Sequence, residues 1–576
     1  MDSAWFRDAA FGAFIHWGLY AVPGGIWKGK ETDYIGEWLQ ARLRIPNAEY
    51  AELAKTFNPV RFDADEWCRC FAEAGMKYIV FTAKHHEGFS MFRTAVSPYN
   101  IVTGTPFGRD PLAELAESCR KFGLKLGIYY SHCLDWHEKD AAAPARDSST
   151  NIDGSSWGND WDFPDAGEKV FERYFRVKVI PQIRELLTQY GPVSVLWFDC
   201  ACGITEAQCR ELRELVHTLQ PDCLINGRIG FGCQDYMSLG DNQMPGSAIP
   251  GLVECPATLN DTWGFKWRDH NWKTPRGIVS QLLSLAERKV NLLLNVGPRP
   301  DGAFPEESVR ILHEIGLWHR RGGSGIHSAS GTPFRQHIDG VFVLRNGKSL
   351  LFYPEEGARR ITFSGIRAKV LECPLPFTQT DRTLTIDFPD SGGMYPCFEV
   401  KFDAVPEVPE ALMPQNGVLF LAPSDGRIIR GTENADSADA VDADAKTIRT
   451  GAHMSLTGDG QLCSWHNPSD RIEWAAELTE PGVYRVLLTT RSMRHSFPWT
   501  GKRTVEISVG GRILAGELTA DAPPHDAYYP CADSTLGEIR IGSPRTVSVV
   551  LRSVGIHSAD AMMMACRGVT LRKISG

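Results

Sequence analysis

The chain has 576 residues, of which 43% are hydrophobic and 23% charged, and it carries a net charge of -9 with a pI of about 6.0. This length exceeds a single hydrophobic core and predicts about two to four domains. The sequence has neither the apolar run of about 20 residues that crosses a membrane nor the basic blocks that capture nucleic acid, so we expect no membrane and no nucleic-acid partner.

The cysteines and the first residues bear on the cellular compartment. Fifteen cysteines, an odd number, are scattered through predicted helices and strands, which favours reduced thiols over a disulfide framework. No basic segment with an apolar core precedes the first predicted strand, so we expect a cytoplasmic protein. A chain trimmed of its secretion signal would look the same, and secretion stays the alternative.

Short apolar runs alternate with helical patterns from residue 10 to about residue 325. The predicted strands lie at 11–16, 76–83, 124–130, 193–199, 223–228 and 291–296. Thr205 and Gln208 have the spacing of a helix capping box, and Gly123 is placed to end a helix. This alternation predicts parallel units, and no GxGxxG sequence follows the first strand as a dinucleotide fold requires. We therefore predict an α/β fold with a catalytic (β/α)8-like, TIM-type barrel over residues 1–328.

Beyond residue 330 the pattern changes to short alternating strands, which predicts all-β sandwich domains. We predict a small β-sandwich over 329–405, a proline-rich linker over 406–416 and a C-terminal β-sandwich over 417–576. Within the last, residues 472–478 and 484–488 alternate around a Pro-Gly turn and predict a hairpin.

The C-terminal sandwich resembles the accessory, carbohydrate-binding domains of carbohydrate-active enzymes. Trp465 or Trp499 would then stack on a glycan, and a packing or interdomain role is the alternative for both residues. The acidic tract 436–444 offers the carboxylates that calcium prefers. It lacks the glycine and ligand spacing of an EF-hand, which favours a solvated loop.

Polar and aromatic residues stand where the predicted barrel strands end, the place where barrel enzymes keep their chemistry. They are His16, His85, His86, Tyr129, Trp197, Asp199 and Arg228. Asp199 directly follows the apolar run VSVLWF. Its carboxylate is therefore expected at the end of the strand, outside the apolar core, where ligands can bind. These residues form a candidate active site.

Two chemistries compete for this set. A zinc hydrolase would use the histidines as ligands, but His85 and His86 are adjacent, and adjacent strand residues face opposite sides. We therefore expect no metal and no cofactor. Glycoside hydrolysis needs a nucleophilic carboxylate and a second carboxyl group that protonates the leaving oxygen. Asp199 suits the first role, and Glu254 leads for the second because its apolar sequence neighbours would raise its pKa toward neutrality.

A series of motifs in one order carries a resemblance to a known family. It comprises FGAFIHWGLY from Phe11, EW from Glu37, TAKHHEGF from Thr82, LWFD ending at Asp199 and LLNVGPRPDG ending at Gly302. Over this stretch the chain resembles the α-L-fucosidases of glycoside hydrolase family 29. The resemblance implies a retaining exo-α-L-fucosidase that removes terminal α-L-fucose from glycans by a double displacement on two carboxylates.

The resemblance also implies roles for individual residues. Asp199 matches the nucleophile, and Arg228 matches the arginine beside it. Binding of the sugar falls to His16, Glu37, Trp38, His85, His86, Tyr129, Trp197 and Trp263, with Trp263 against the C5 methyl group. The implied partner is a fucosylated oligosaccharide or glycoconjugate, and assembly into a homo-oligomer stays open.

Two departures from the family pattern leave alternatives open. The chain has Glu87 where the family commonly has aspartate, a longer carboxylate that we expect to shift the loop. Residues 238–245 lack the glutamate of members that favour branched linkages, so Asp241 is the alternative to Glu254 as the acid/base. The competing functions are a related retaining exo-glycosidase on a galacto-configured sugar and a non-catalytic glycan-binding protein.

Overall fold

The computed structural model describes residues 3–142, 157–390, 392–431, 440–441, 448–449, 453–493, 497–526 and 528–575. Most of the acidic tract 436–444, considered above for calcium, lies outside these residues. The chain forms two compact units. Unit 1 comprises Met1–Asn242, Gly251–Leu282 and Val290–Ser328, and unit 2 comprises Gln243–Pro250, Leu283–Lys289 and Ala329–Gly576.

Unit 1 is built on eight parallel strands. In chain order they are β1 Phe11–Ile15, β2 Tyr78–Lys84, β3 Lys125–Ser131, β4 Val195–Asp199, β5 Leu224–Ile225, β6 Met237–Ser238, β7 Val253–Thr258 and β8 Val290–Val296. They pair in the order β5-β4-β3-β2-β1-β8-β7-β6, so the first strand lies beside the last, with Phe11 opposite Leu292. This cyclic order is that of a (β/α)8-like barrel and confirms the predicted fold class.

Helices alternate with these strands, and two of them are capped as the sequence predicts, one at its start and one at its end. The α-helices are α1 Ala4–Ala9, α2 Leu39–Leu43, α3 Asn47–Tyr50, α4 Ala64–Glu73, α5 Pro111–Phe122, α6 Phe171–Tyr174, α7 Ile180–Gln189, α8 Glu206–Leu219, α9 Pro275–Glu287 and α10 Glu306–Arg320. Thr205 and Gln208 form a reciprocal capping box at the start of α8, and Gly123 ends α5 with a φ of 69°. No described helix is both long and apolar enough to cross a bilayer.

The barrel core explains why polar groups collect at the strand ends. Phe14, Val80, Trp197 and Leu293 come from four different strands and are buried in one cluster. Strands that are covered on both faces need apolar side chains at successive positions. Charged and hydrogen-bonding side chains therefore appear where a strand leaves this core, and Asp199 is the last residue of β4.

The strands of unit 2 pair antiparallel in four larger sheets and one short strand pair within the described residues. The first two sheets contain Val341–Asn346, Ser349–Pro354, Arg360–Ser364, Val370–Glu372, Phe377–Gln379, Thr383–Asp387 and Phe398–Phe402. The other two contain Val418–Leu421, Arg427–Ile429, Ser455–Leu456, Leu462–Cys463, Arg471–Leu478, Gly482–Ser492, Arg503–Val509, Arg512–Glu517, Cys531–Ile541, Arg545–Ile556 and Met564–Ser575. The division of 329–576 into two sandwiches and a linker stays a prediction.

The hairpin predicted at 472–488 is wrong. Arg471–Leu478 pairs with Arg545–Ile556, whereas Gly482–Ser492 pairs with strands of the other sheet. Alternation reports that one face of a strand is buried, but it does not reveal the pairing partner. Trp474 and Val486 from the two strands share one core, so the Pro-Gly turn carries the chain from one sheet to the other. Trp465 is fully buried in the same core, which is the packing role considered for it.

Two short segments from the first half of the sequence belong to unit 2. In one, the Gln243 side-chain amide donates a hydrogen bond to Asp459 at 2.6 Å. In the other, Glu287 accepts hydrogen bonds from the Val343 amide at 2.8 Å and from His337 at 2.9 Å. Unit 2 is therefore discontinuous in sequence.

Two identical substitutions in unit 1 test the role of the barrel core. Val80→Ala removes two methyl groups from a fully buried side chain, whereas Val60 is 70% exposed. We expect Val80→Ala to lower the free energy of unfolding by about 2 kcal/mol and Val60→Ala to change it by less than about 0.5 kcal/mol. Urea unfolding followed by tryptophan fluorescence measures both, and equal losses would contradict the assignment of this core.

Candidate active site

The centre of the site is Asp199, whose side chain is 13% exposed at the end of β4. Its Oδ1 accepts a hydrogen bond from Arg228 at 3.1 Å, and its Oδ2 accepts one from the Tyr129 hydroxyl at 2.9 Å. Burial alone would raise the pKa of Asp199, but the charge and hydrogen bond of Arg228 and the hydroxyl of Tyr129 bring it below its ordinary value. Asp199 is therefore an ionised carboxylate at neutral pH.

Arg228 joins Asp199 to a second carboxylate. Its Nη1 bonds to Asp199, and its Nη2 bonds to Asp241, whose side chain is 37% exposed. Burial would lower the pKa of Arg228, but the two carboxylates raise it above its ordinary value. The guanidinium also lies 4.7 Å from the centre of the Trp197 ring. One rigid cation thus fixes two carboxylates within the span of a single side chain.

Glu254 lies elsewhere, in the barrel interior. It is fully buried on β7, and its carboxylate accepts hydrogen bonds from Trp197 Nε1 at 2.8 Å, the Tyr78 hydroxyl at 2.6 Å and the Tyr236 hydroxyl at 3.3 Å. Burial raises its pKa to about 7, although these three hydrogen bonds act to lower it. Because Trp197 precedes Asp199 by two residues on β4, Glu254 sits one layer deeper than the strand ends.

Two histidines at the mouth are held in a defined tautomer. The Asn295 amide donates to the Trp263 carbonyl at 2.7 Å, so its Oδ1 faces His16 Nδ1 at 2.7 Å, and this nitrogen must carry the proton. Ser131 donates to the Leu134 carbonyl at 3.0 Å and accepts from His86 Nδ1 at 2.7 Å. The Nε2 of each ring is therefore an unprotonated acceptor.

Burial keeps these imidazoles neutral. It lowers the pKa of His16 to about 4 and that of His86 to about 3, although Asn295 and Asp199 respectively act to raise them. His85 also has a pKa well below its ordinary value, and its buried Nδ1 has no hydrogen-bond partner among the described residues. Neutral imidazole rings suit hydroxyl groups as ligands.

Aromatic rings surround these polar groups. Tyr129 stacks on Trp197 with 5.6 Å between ring centres and on His85 with 5.4 Å. The ring of Trp263, which is buried, lies 5.1 Å from that of His16, and the ring of Trp38 lies 5.2 Å from that of His86. Apart from Glu254 and Glu37, the predicted site residues therefore form one connected group at the strand ends.

Glu37 is fully buried next to the turn that follows β7. It accepts a hydrogen bond from the Gly264 amide at 2.8 Å and another from Thr262 at 3.4 Å. Burial raises its pKa to about 7, while the Gly264 amide acts to lower it. Through these bonds Glu37 holds the turn that carries Trp263.

A buried network that the sequence did not reveal fixes the loop after β2. Glu87 accepts hydrogen bonds from the Leu19 amide at 2.9 Å and the Tyr50 hydroxyl at 2.6 Å. Asp135 is paired with Lys84 at 3.3 Å and Lys178 at 2.8 Å, all of them buried. These bonds tie residues 85–88, which we call the histidine loop, to the neighbouring segments. They leave the two imidazole rings little freedom to move.

The donor atoms of His86, Asp199 and Cys200 lie within 4.8 Å of one another, a spacing that a metal ion could bridge. The chemistry of the set does not fit a metal. Both oxygens of Asp199 already accept hydrogen bonds, one of them from the cation of Arg228, and burial raises the pKa of the Cys200 thiol well above its ordinary value. A metal ion there would need the Cys200 thiol to lose its proton and would place a second cation beside the guanidinium of Arg228.

Comparisons with known proteins agree on one family. The sequence profile described as Alpha-L-fucosidase matches residues 2–324. The plasma alpha-L-fucosidase of Homo sapiens is 28% identical over 347 residues, which are 56% of this chain and 69% of that protein. The tissue alpha-L-fucosidase of Homo sapiens is 26% identical over 440 residues, 71% of this chain and 86% of that protein.

Solved structures agree as well. The alpha-L-fucosidase from Vibrio sp. strain EJY3 matches with a TM-score of 0.82 and 26% identity, over 99% of this chain and 97% of that one. An alpha-L-fucosidase from Lactobacillus casei, in complex with alpha-L-fucose, matches with a TM-score of 0.53 and 42% identity, over 55% of this chain and 99% of that one. A variant of the latter enzyme is in complex with Fuca(1,6)GlcNAc.

Two glycines test how tightly the histidine loop is held. Gly88 has a φ of 78°, and a Cβ there would clash with Asp135 Oδ1, whereas Gly108 has a φ of 64° and open space around it. Alanine costs about 1–2 kcal/mol in backbone strain at either position. We expect Gly88→Ala to lose at least twice the unfolding free energy of Gly108→Ala, measured by chemical unfolding, because only Gly88 adds the clash. Equal losses of unfolding free energy would mean that the histidine loop shifts to accommodate the added Cβ at no further cost.

Proposed function

We propose that this chain, which belongs to the alpha-L-fucosidase family and is thus a fucose-releasing glycoside hydrolase, acts with net retention through two carboxylates. The proposal rests on the observation that Arg228 forms hydrogen-bonded ion pairs with Asp199 and Asp241 at the same time. Retaining glycosidases hold their two carboxyl groups about 5–5.5 Å apart, a distance that two oxygens on one guanidinium can readily adopt.

In the proposed first step, the ionised Asp199 attacks the anomeric carbon while Asp241, in its acid form, protonates the departing oxygen. A fucosyl ester on Asp199 results, and the leaving sugar departs. In the second step, Asp241 takes a proton from water, which attacks the same carbon and releases α-L-fucose and the free carboxylate. Arg228 stabilises each carboxylate in the step where it carries charge.

The proposal favours Asp241 over Glu254 as the acid/base. A proton donor must touch the leaving oxygen, and Asp241 is partly exposed whereas Glu254 is fully buried. The oxygens of Glu254 are also engaged by Tyr78, Trp197 and Tyr236. We assign Glu254 to the support of Trp197, the ring on which Arg228 lies.

Fucose recognition follows from the histidines and the aromatic wall. The Nε2 atoms of His16 and His86 would accept hydrogen bonds from sugar hydroxyls, since their Nδ1 protons are committed to Asn295 and Ser131. Trp263 would face the C5 methyl group, which needs an apolar surface. The proposed substrates are fucosylated oligosaccharides or glycoconjugates.

The nucleophile is tested with Asp199→Gly and 4-nitrophenyl α-L-fucoside. We expect the variant to lose about a thousandfold or more in kcat, because no carboxylate remains to form the ester. Added azide should enter the vacated space and give β-L-fucosyl azide, and the wild type should release α-L-fucose first, as followed by NMR. Initial release of β-L-fucose would contradict retention, and no wild-type turnover would favour a glycan-binding protein.

The acid/base is tested with Asp241→Ala and Glu254→Gln. We expect Asp241→Ala to lose about 10²–10⁴ in kcat/KM on a fucosylated disaccharide and less on 4-nitrophenyl fucoside, whose leaving group needs little protonation. Azide should then give α-L-fucosyl azide. Glu254→Gln keeps the shape of the side chain, and we expect activity within about a factor of ten of the wild type. A loss in Glu254→Gln with the same leaving-group dependence would return the role to Glu254.

A further inference from the structure

The segment that directly follows the proposed acid/base belongs to unit 2. Asn242 is the last residue of the first stretch of unit 1, and Gln243–Pro250 packs within unit 2. Asp241 therefore stands two residues before the chain enters unit 2. Whatever holds Gln243 also limits where Asp241 can lie, because consecutive Cα atoms are only about 3.8 Å apart.

The barrel holds the chain on the near side of this point. The Leu239 amide donates a hydrogen bond to the Glu254 carbonyl at 2.8 Å, and the Asn242 amide donates one to the Pro256 carbonyl at 2.8 Å. Asn242 has a φ of 53°, in the left-handed region that asparagine adopts more readily than most residues. The chain thus turns directly after the proposed acid/base, and such a conformation persists only where the surrounding contacts hold it.

A buried ion pair of unit 2 holds the far side. The Gln243 side-chain amide donates a hydrogen bond to Asp459 Oδ2 at 2.6 Å, and the same oxygen accepts one from Arg491 at 2.7 Å. The side chains of Asp459 and Arg491 are only 3% and 6% exposed. Charge-assisted hydrogen bonds are short and strong, so this carboxylate is a firm anchor for Gln243.

Other contacts fix the ion pair itself. Asp459 lies in the turn between two short strands, where it also accepts hydrogen bonds from the Thr457 hydroxyl and the Gln461 side chain. The guanidinium of Arg491 lies 4.9 Å from the centre of the Tyr529 ring. The position of the carboxylate is therefore set within unit 2 by more than its bond to the segment after the acid/base.

A second contact holds the same segment farther along. The Ser424 hydroxyl donates a hydrogen bond to the Ser247 hydroxyl at 2.8 Å. Gly460 directly follows Asp459, and a Cβ there would lie 2.9 Å from Ser247 Oγ, so the turn approaches the segment closely. Gln243–Pro250 is thus held at two separate points of unit 2.

A buried ion pair adds little net stability to a domain of this kind. The cost of removing both charges from water offsets most of their attraction, and apolar residues of similar size often stabilise a core as well. The pair does supply direction, because its oxygens accept hydrogen bonds only within a limited range of angles. Its carboxylate is used by Gln243, two residues after Asp241, which points to a role in placing that part of the chain.

We propose that Gln243 and Asp459 are positioning residues for the acid/base Asp241. Asp459, held by its ion pair, fixes Gln243, and Gln243 sets the place from which Asp241 donates its proton. This inference rests on the proposed function and assigns unit 2 a part in it. Neither positioning residue touches the substrate, and each acts only through the chain that it holds.

The test exchanges the two groups that meet. Gln243→Glu places a second carboxylate against Asp459 and breaks the hydrogen bond by repulsion. The double variant Gln243→Glu/Asp459→Asn moves the amide to the other partner, which restores one donor and one acceptor and keeps the net charge of the wild type. Phenyl and 4-nitrophenyl α-L-fucoside have nearly the same shape, but the phenyl leaving group needs a proton far more.

We expect Gln243→Glu to lower kcat/KM about 10–100-fold on phenyl fucoside and less than about threefold on 4-nitrophenyl fucoside, because only the poorer leaving group depends strongly on the general acid. The double variant should return to within about fivefold of the wild type on phenyl fucoside. If Gln243→Glu does not fold, Gln243→Leu removes the donor without adding charge and is judged by the same substrate ratio.

Asp470→Asn is the matched control. Asp470 is a fully buried carboxylate of unit 2 that accepts hydrogen bonds from the Gly431 amide at 2.9 Å and the Met454 amide at 2.7 Å. We expect this variant to lower the free energy of unfolding in urea and to leave the ratio of kcat/KM for the two fucosides unchanged. A changed ratio would mean that any damage to unit 2 has this effect, which overturns the specific role of Gln243.

Other outcomes separate this inference from the proposed function. If the wild type hydrolyses neither fucoside, the proposed function fails, and the role of Gln243 falls with it. If the wild type hydrolyses both, the positioning role alone fails when Gln243→Glu loses equally on both substrates or on neither. It also fails when the double variant does not recover, since the added charge would then be the cause.

Crystal structures supply a readout that does not depend on turnover. In Gln243→Glu we expect the carboxylate of Asp241 to move away from Arg228, while the contact of 3.1 Å between Arg228 and Asp199 is kept. In the double variant we expect both contacts of Arg228. An Asp241 that keeps its ion pair with Arg228 in Gln243→Glu would overturn the assignment.

Discussion

The arrangement of the site depends on one ion triad, the guanidinium of Arg228 between Asp199 and Asp241. Two carboxylates brought close together repel each other. A planar guanidinium offers a separate nitrogen to each partner, so it reduces this repulsion and sets their spacing. The ring of Trp197 lies 4.7 Å from the guanidinium and adds a cation–π contact. The triad therefore keeps Asp199 ionised and sets the position of both carboxylates.

A second layer of neutral hydrogen bonds defines the tautomers of the histidines at the strand ends. Asn295 and Ser131 each have one hydrogen bond that fixes their own orientation and one that determines where the proton of a histidine resides. Burial lowers the pKa of His16 and His86, so both rings stay uncharged over the physiological pH range. Neutral imidazoles leave the strong electrostatics of the site to Arg228 and the carboxylates. The buried Glu37 and Glu87 act further out, where they pin the loops that present Trp263 and the histidines.

The sequence predicts those features that depend on local pattern. Continuous apolar runs located the barrel strands, Asp199 stood out as the charge that ends one of them, and the caps of α5 and α8 followed from Gly123 and Thr205. The sequence pattern did not show how deep a residue lies within the barrel. Apolar neighbours predicted that Glu254 is shielded from water, which agrees with its burial, but they could not tell a strand end from the layer beneath it. Asn295 and Ser131 were missed because their importance lies in partners far along the chain, and the hairpin failed because pairing is likewise a tertiary property.

The discontinuity of unit 2 has a bearing on how the gene can be cut or recombined. A break after residue 328 looks clean in sequence, yet Gln243–Pro250 and Leu283–Lys289 pack within unit 2. A fragment ending there would retain both segments and lose Asp459, Val343 and His337, to which they are bonded. The first segment begins two residues after Asp241. Exchange of the C-terminal half between relatives would therefore have to carry these two internal segments with it.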